Sequence, residues 1–197
     1  MNKEFIERAK ARVKEIVAGC STDSHTVIAR YTAAIAVNFT DWIGKTAPWV
    51  RHEVAYCALV DNLRCESEQD HVEMLLRFAE LSQALPNQGD CAHMKDEVAA
   101  VRRLFKNPAT AGLSGLALLA ILENTSEEFI LDLARRAKLC GCTDFTYTDV
   151  HGVADAEHSE AFLVATQAER TMGYENDVML VTQASDAAIN LIAKIYA

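Results

Sequence analysis

Residues 147–162, YTDVHGVADAEHSEAF, set His151, Asp155 and His158 in one short stretch that otherwise reads as helix. At about 100° of rotation per residue, His151 and Asp155 lie roughly 40° apart around the axis, and His158 returns to within about 20° of His151. The three side chains therefore share one helix face. Imidazole nitrogens and a carboxylate suit iron, zinc or manganese, and a regular helix presents them together without any backbone distortion. A solvated face is the other reading of the same spacing, because Glu157 and Glu160 lie beside it. Spacing alone leaves both open.

The rest of the chain reads as helix too. Alternating β-branched runs are scarce, there are only three prolines, and apolar residues recur mostly at intervals of three and four. Caps and breakers divide the chain. CSTDSHT (20–26) supplies caps, KTAP closes a helix near Pro48, LPNQGD and KNPAT break the chain near Pro86 and Pro108, and Gly173 separates the last two helices. NTSEEF (124–129) reads as a capping box. The expected helices are 2–19, 25–46, 49–68, 70–84, 91–106, 110–124, 127–140, 147–172 and 176–196. Short connections favour an all-α antiparallel bundle, a single domain over 1–197, with sites built from inward-facing side chains of neighbouring helices.

Charge narrows the partners. A net charge of −9 and a pI near 5.1 argue against nucleic acid, whose binding needs clustered Lys and Arg. The opening segment MNKEFIERAKARVKEIV mixes charges with apolar residues as an amphipathic helix and lacks the unbroken apolar stretch of a signal peptide. The most apolar run, 113–122, is about half of the roughly 20 residues a membrane span needs, and it ends on Glu123. No membrane association and a cytoplasmic location are expected. The six cysteines are then reduced and semi-buried, and the lone Cys-x-Cys at 140–142 has no second pair at zinc-site spacing.

If the His151 face holds metal, other helices must complete the site. The stretch VDNLRCESEQDHVEML (60–75) offers Glu66, Glu68 and His71 on a segment with an apolar face. Glu68 and His71, three apart, share a face of a continuous helix, whereas Glu66 and His71 need a break between them. Both glutamates stay open. Glu123 follows the apolar run, where a carboxylate is costly unless paired, protonated or metal-bound, although the helix can also simply have reached solvent there.

The order Glu, His, Glu, then His-x3-Asp-x2-His on separate helices resembles the haem-oxygenase-like diiron oxidases. DNLRCE (61–66) is similar to the Asn-Leu-x-x-Glu stretch that often precedes the first histidine in that group, which favours Glu66. The resemblance carries over His71 as the first histidine, Glu123 as the middle glutamate, and His151, Asp155 and His158 as the final triplet. Many members have a longer spacer between the first glutamate and first histidine than CESEQDH (65–71) provides, so Glu66 and Glu68 compete. AVNFTDW (36–42) and the segment 61–80 are similar to a branch whose namesake forms an aziridine amino acid by oxidising L-isoleucine. The resemblance implies a bundle of about seven core helices, two ferrous ions, dioxygen as cosubstrate, and oxidation of an unactivated carbon or an amine. Three imidazoles and three or four carboxylates approximately balance two ferrous ions.

The implied substrate is a small amino acid or a related metabolite, with isoleucine and valine first in line. Its carboxylate would need a cation, for which Arg51, Arg77, Arg102, Arg103, Arg135 and Arg136 are available, though both Arg-Arg pairs read first as exposed surface. Trp42, Trp49, Tyr56 and Phe78 can line a pocket or simply fill the core. A thiaminase-II-like hydrolase of the same fold would need a nucleophilic cysteine, such as Cys57, Cys65 or Cys142, but no Cys/His pair stands out. A haem-degrading enzyme and a non-catalytic metal-binding helical protein share the architecture. The last helix, ending in DAAINLIAKIYA (186–197), has apolar residues for either the core or a homodimer contact.

Overall fold

The computed structural model describes the chain apart from residue 2 and the side chains of residues 153–157. The described residues form nine α-helices, one 3-10 turn and no strand: α1 (Lys3–Ala18), α2 (Ser24–Ile35), α3 (Phe39–Thr46), the turn Ala47–Trp49, α4 (Glu53–Glu68), α5 (His71–Leu81), α6 (Gln88–Arg103), α7 (Pro108–Leu139), α8 (Thr146–Arg170) and α9 (Asp177–Tyr196). Short polar side chains cap the helix starts, those at Asn87 and Asn107 lying inside the stretches read from sequence only as breaks. Asp23 accepts from the Thr26 amide, Asn87 and Asp90 form a reciprocal capping box, and Asn107 precedes Pro108 at the first position of α7.

Two expected boundaries are corrected. The helices foreseen at 110–124 and 127–140 are one 32-residue helix, α7. Thr125 and Ser126 do not cap a new helix. Their hydroxyls bond backwards, to the carbonyls of Ile121 and Glu123 at 2.8 Å each, as such residues do inside a helix. Conversely, the helix foreseen at 25–46 splits into α2 and α3 at residues 36–38. There the Asn38 amide donates to Ile35, and the Ala34 carbonyl it leaves behind is taken by the buried Asn38 side chain at 2.9 Å. Arg102 of α6 donates to Asn38 Oδ1 at 2.9 Å, which fixes the kink against a neighbouring helix.

Helix α7 is the axis of the molecule. Every residue from Ala111 to Glu123 is buried, and the helix packs against α8, α9, α1, α2 and α3. Its first turns approach the preceding chain closely: a Cβ at Gly112 would lie 2.3 Å from the Trp49 carbonyl oxygen, and one at Gly115 would lie 2.1 Å from Thr46 Oγ1. Farther along, Arg136 is buried rather than exposed. It pairs with Asp132 one turn earlier and donates to the Thr22 carbonyl at 2.9 Å, which is why it turns inward while Arg135 stays at the surface.

Helix α9 is long and apolar enough to cross a membrane by length and composition. Here its apolar face, including Leu180, Ala184, Ile189, Leu191 and Ile195, is buried against α7, α6 and α1. Helices α8 and α4 are joined by a buried carboxylate. Glu169, in the last turn of α8, accepts the amides of Arg51 (2.8 Å) and His52 (2.9 Å), immediately ahead of α4, and the Tyr174 hydroxyl at 2.5 Å. A negative group at a helix start also meets the positive end of the α4 dipole. This contact ties the start of α4, which carries one wall of the site below, to the end of α8.

Candidate metal centre

Glu66, His71, Glu123 and His151 line one partly open pocket between α2, α3, α4, α5, α7 and α8. How Glu66 and His71 come together is decided by a break in the helix. Helix α4 ends at Glu68, Gln69 caps it, Asp70 adopts a left-handed conformation at φ 53°, and α5 begins at His71. This turn folds His71 back over Glu66, placing His71 Nδ1 2.8 Å from Glu66 Oε1. Glu66 and His71 are both buried, at 7% and 3% exposure, whereas Glu68 is exposed. The two glutamates are two residues apart on a helix, about 200° around its axis, so only one of them faces inward.

His151 enters from α8. Its Nδ1–H donates to the Tyr147 carbonyl at 2.8 Å, four residues earlier, and Nε2 is left facing away from its own backbone. The His151 and His71 rings lie 4.6 Å apart between centroids. Burial pushes the His151 pKa down to about 4, with the His71 and His158 imidazoles adding to the fall and the Tyr147 carbonyl and Glu66 opposing it. At neutral pH His151 is an uncharged imidazole, the form that binds a metal. One donor atom from each of Glu66, His71 and His151 can be chosen so that all lie within 4.8 Å of one another.

Glu123 lies beside this group in the buried middle of α7. Its Oε1 is 3.9 Å from His158 Nδ1 and accepts from Asn62 Nδ2 at 3.4 Å. Asn62 was not singled out from sequence beyond the DNLRCE stretch, yet its position one turn before Glu66 puts both on the buried face of α4. Among the described residues Asn62 Oδ1 is buried without a hydrogen-bond partner. Asp155, the remaining candidate, lies outside the described side chains. The donors fit a divalent transition metal: imidazoles and carboxylates, buried, with an orphaned amide oxygen next to them.

Around these groups the wall is apolar, with Ile35, Leu75, Leu122, Phe129 and Ile130, and the phenols of Tyr31 and Tyr147, hydrogen-bonded to each other at 2.7 Å. The pocket offers about 50 Å³, room for a handful of water-sized groups. None of the described lining residues is Arg or Lys. Five of the six arginines considered from sequence are engaged elsewhere: Arg51 over the Tyr174 ring, Arg77 with Asp144, Arg102 with Asn38, and Arg135 and Arg136 with Asp132; the sixth, Arg103, is exposed. The aromatic candidates are also displaced. Trp42 is core, Trp49 and Tyr56 are exposed, and Phe78 stacks behind Tyr147 at 5.7 Å; distinguishing core from pocket needs the packing, which spacing does not contain.

The cysteines are all unpaired, and none is among the described residues lining the pocket. Cys65, one residue before Glu66, has its thiol pKa raised by burial and then by the neighbouring carboxylates, the wrong direction for a nucleophilic thiolate. Comparison with the curated proteins finds no match. Residues 27–188 match a family described as iron-containing redox enzyme, a span that includes every residue lining the pocket. Buried imidazoles and carboxylates converging in an all-helical bundle agree with that match, and the chain belongs to the iron-containing redox enzymes of haem-oxygenase-like fold.

Proposed function

We propose that this chain is a non-haem diiron, dioxygen-dependent oxidase of a small amino acid or amino-acid-derived metabolite, acting in the cytoplasm. The observation that carries the reading is the convergence of Glu66, His71 and His151, with Glu123 and His158 adjacent, in one buried pocket. Glu66, His71 and His151 would hold one ion. Glu123 and His158, joined by Asp155 as the resemblance implies, would hold the second. When bound, iron supplies the electron-transfer chemistry that lets dioxygen oxidise a C–H or N–H bond. The chain does the rest. Asn62 orients Glu123, the Tyr147 carbonyl holds the proton on His151 Nδ1, and the apolar wall keeps bulk water from the reacting end of the pocket.

An aliphatic side chain would lie against Ile35, Leu75, Phe129 and Ile130, with the polar end of the substrate toward the Glu–His end. This favours isoleucine and valine over charged amino acids, and C–H desaturation or aziridine closure over hydroxyl-group chemistry. The test is anaerobic titration with Fe(II), expected to saturate at about two ions per chain, the stoichiometry of carboxylate-bridged sites in helical bundles. Oxygen uptake stimulated by an L-amino acid should follow, with a product lighter by two hydrogens or heavier by one oxygen in the mass spectrum. A purified protein that takes up no iron would refute the reading; iron uptake with no substrate-stimulated oxygen consumption would leave a metal-binding protein without this activity.

A further inference from the structure

We propose that Gln69 is a positioning residue of the metal centre: its side-chain carbonyl takes the Nε2–H of His71, so that His71 presents Nδ1 to a bound divalent ion while His151 presents Nε2. The assignment rests on the metal-binding reading above and is carried by the geometry of the helix break. Gln69 Oε1 lies 3.1 Å from His71 Nε2, and Glu66 Oε1 lies 2.8 Å from Nδ1, so the two neighbours occupy the two nitrogen-bearing sides of one ring. An ion shared by His71 and Glu66 must sit on the Nδ1 side, because a ligand bond through Nε2 would point away from Glu66 and require Gln69 to leave. His151 is built the other way round, its Nδ1 already engaged by the Tyr147 carbonyl. The break makes the arrangement. The Gln69 amide bonds back to Cys65 as the α4 cap, Asp70 reverses the chain, and the Gln69 side chain is left two residues from His71 across the turn. Within CESEQDH, Gln69 and Asp70 thus form both the turn and the support for the histidine. A carbonyl oxygen holding the far N–H of a ligating imidazole fixes the tautomer and ring direction and raises the ligand's basicity.

The experiment uses Zn(II), a diamagnetic probe, with the full chain. Nitrogen-resolved NMR of the histidine rings in the Zn(II)-loaded wild type should show His71 bound through Nδ1 with its proton on Nε2, and His151 in the opposite sense. Gln69→Leu should weaken Zn(II) binding by about tenfold or more in chelator competition, and Gln69→Glu, which keeps an acceptor, should restore it. Gln69 is exposed, so the metal-free Leu variant should melt with the wild type. Zinc bound to His71 through Nε2, or unchanged affinity in Gln69→Leu, would overturn the assignment while leaving the metal site standing. Wild-type protein that takes up no Zn(II) would overturn both.

Discussion

Glu66 and Glu68 offer the sharpest test of the centre, because they are chemically identical, two residues apart and differently placed. Glu66 is 7% exposed and 2.8 Å from His71 Nδ1, whereas Glu68 faces solvent at the end of α4. Glu66→Gln removes a negative oxygen from the donor set and keeps the volume; Glu68→Gln changes a solvated charge. A charge-assisted contact is worth about 1.5–3 kcal/mol, so the Glu66 change should weaken metal binding by roughly 10- to 100-fold. At saturating metal, a hundredfold loss of affinity removes about 2.7 kcal/mol of metal-induced stabilisation. For a chain of this size that is roughly 5–11 °C in Tm. Calorimetry under anaerobic conditions, with and without Fe(II), reads the metal-induced shift of each variant against its own metal-free Tm. The wild type and Glu68→Gln should share one shift and Glu66→Gln should lose most of it. Equal losses in both variants, or an intact shift in Glu66→Gln, would refute the inward assignment of Glu66.

Three further outcomes follow from the packing. Glu169→Ala strips the acceptor from two amides and a phenol, and should cost about 3–5 kcal/mol, seen by calorimetry as a fall in Tm of roughly 6 °C or more; a fall under about 2 °C would mean the contact does not set α4. Gly115→Ala should destabilise by about 1–3 kcal/mol in urea unfolding, and Thr46→Ala in the same chain should return part of it, because the added methyl meets the Thr46 side chain; additive effects would rule out that clash. In the metal-free protein the depressed pKa of His151 gives stability that is complete above its unfolded value of 6.5 and lost as pH falls toward about 4. That loss should approach about 3 kcal/mol, and His151→Leu should unfold in urea with a shallower pH slope over this window; parallel slopes would show that His151 does not carry it.

The all-helical architecture was legible because apolar spacing and caps act locally: Asp23, Asn87 and Asn107 start helices in the structure as their side chains suggest. Where two local rules compete, the sequence was misleading. Thr125 and Ser126 satisfy a capping pattern and a helix interior equally well, and burial of α7 on all sides decides for the interior. The break at Gln69–Asp70 was legible as a boundary, since helices were expected at 49–68 and 70–84, but with neither Gly nor Pro there its left-handed residue was not. Arg136 shows the same limit. Nothing in Arg-Arg distinguishes the arginine that turns in to Asp132 and Thr22 from the one that stays out. Asn62 was readable in principle, since a residue four before Glu66 shares its face, but its partner Glu123 is 61 residues away in the chain.

The enclosure of α7 gives the centre a fixed jaw. Glu123 sits on a helix wrapped by neighbours from Ala111 onward, with glycines pressed against the backbone and side chain of the preceding segment, and it cannot follow an incoming ion without disturbing the core. Adjustment to an ion's radius therefore falls to the opposite jaw, where Glu66 and His71 straddle a one-residue reversal at the end of α4. Exchanging Mn(II), Fe(II) and Zn(II) in the same protein would then alter the Glu66–His71 side of the site and leave Glu123 in register.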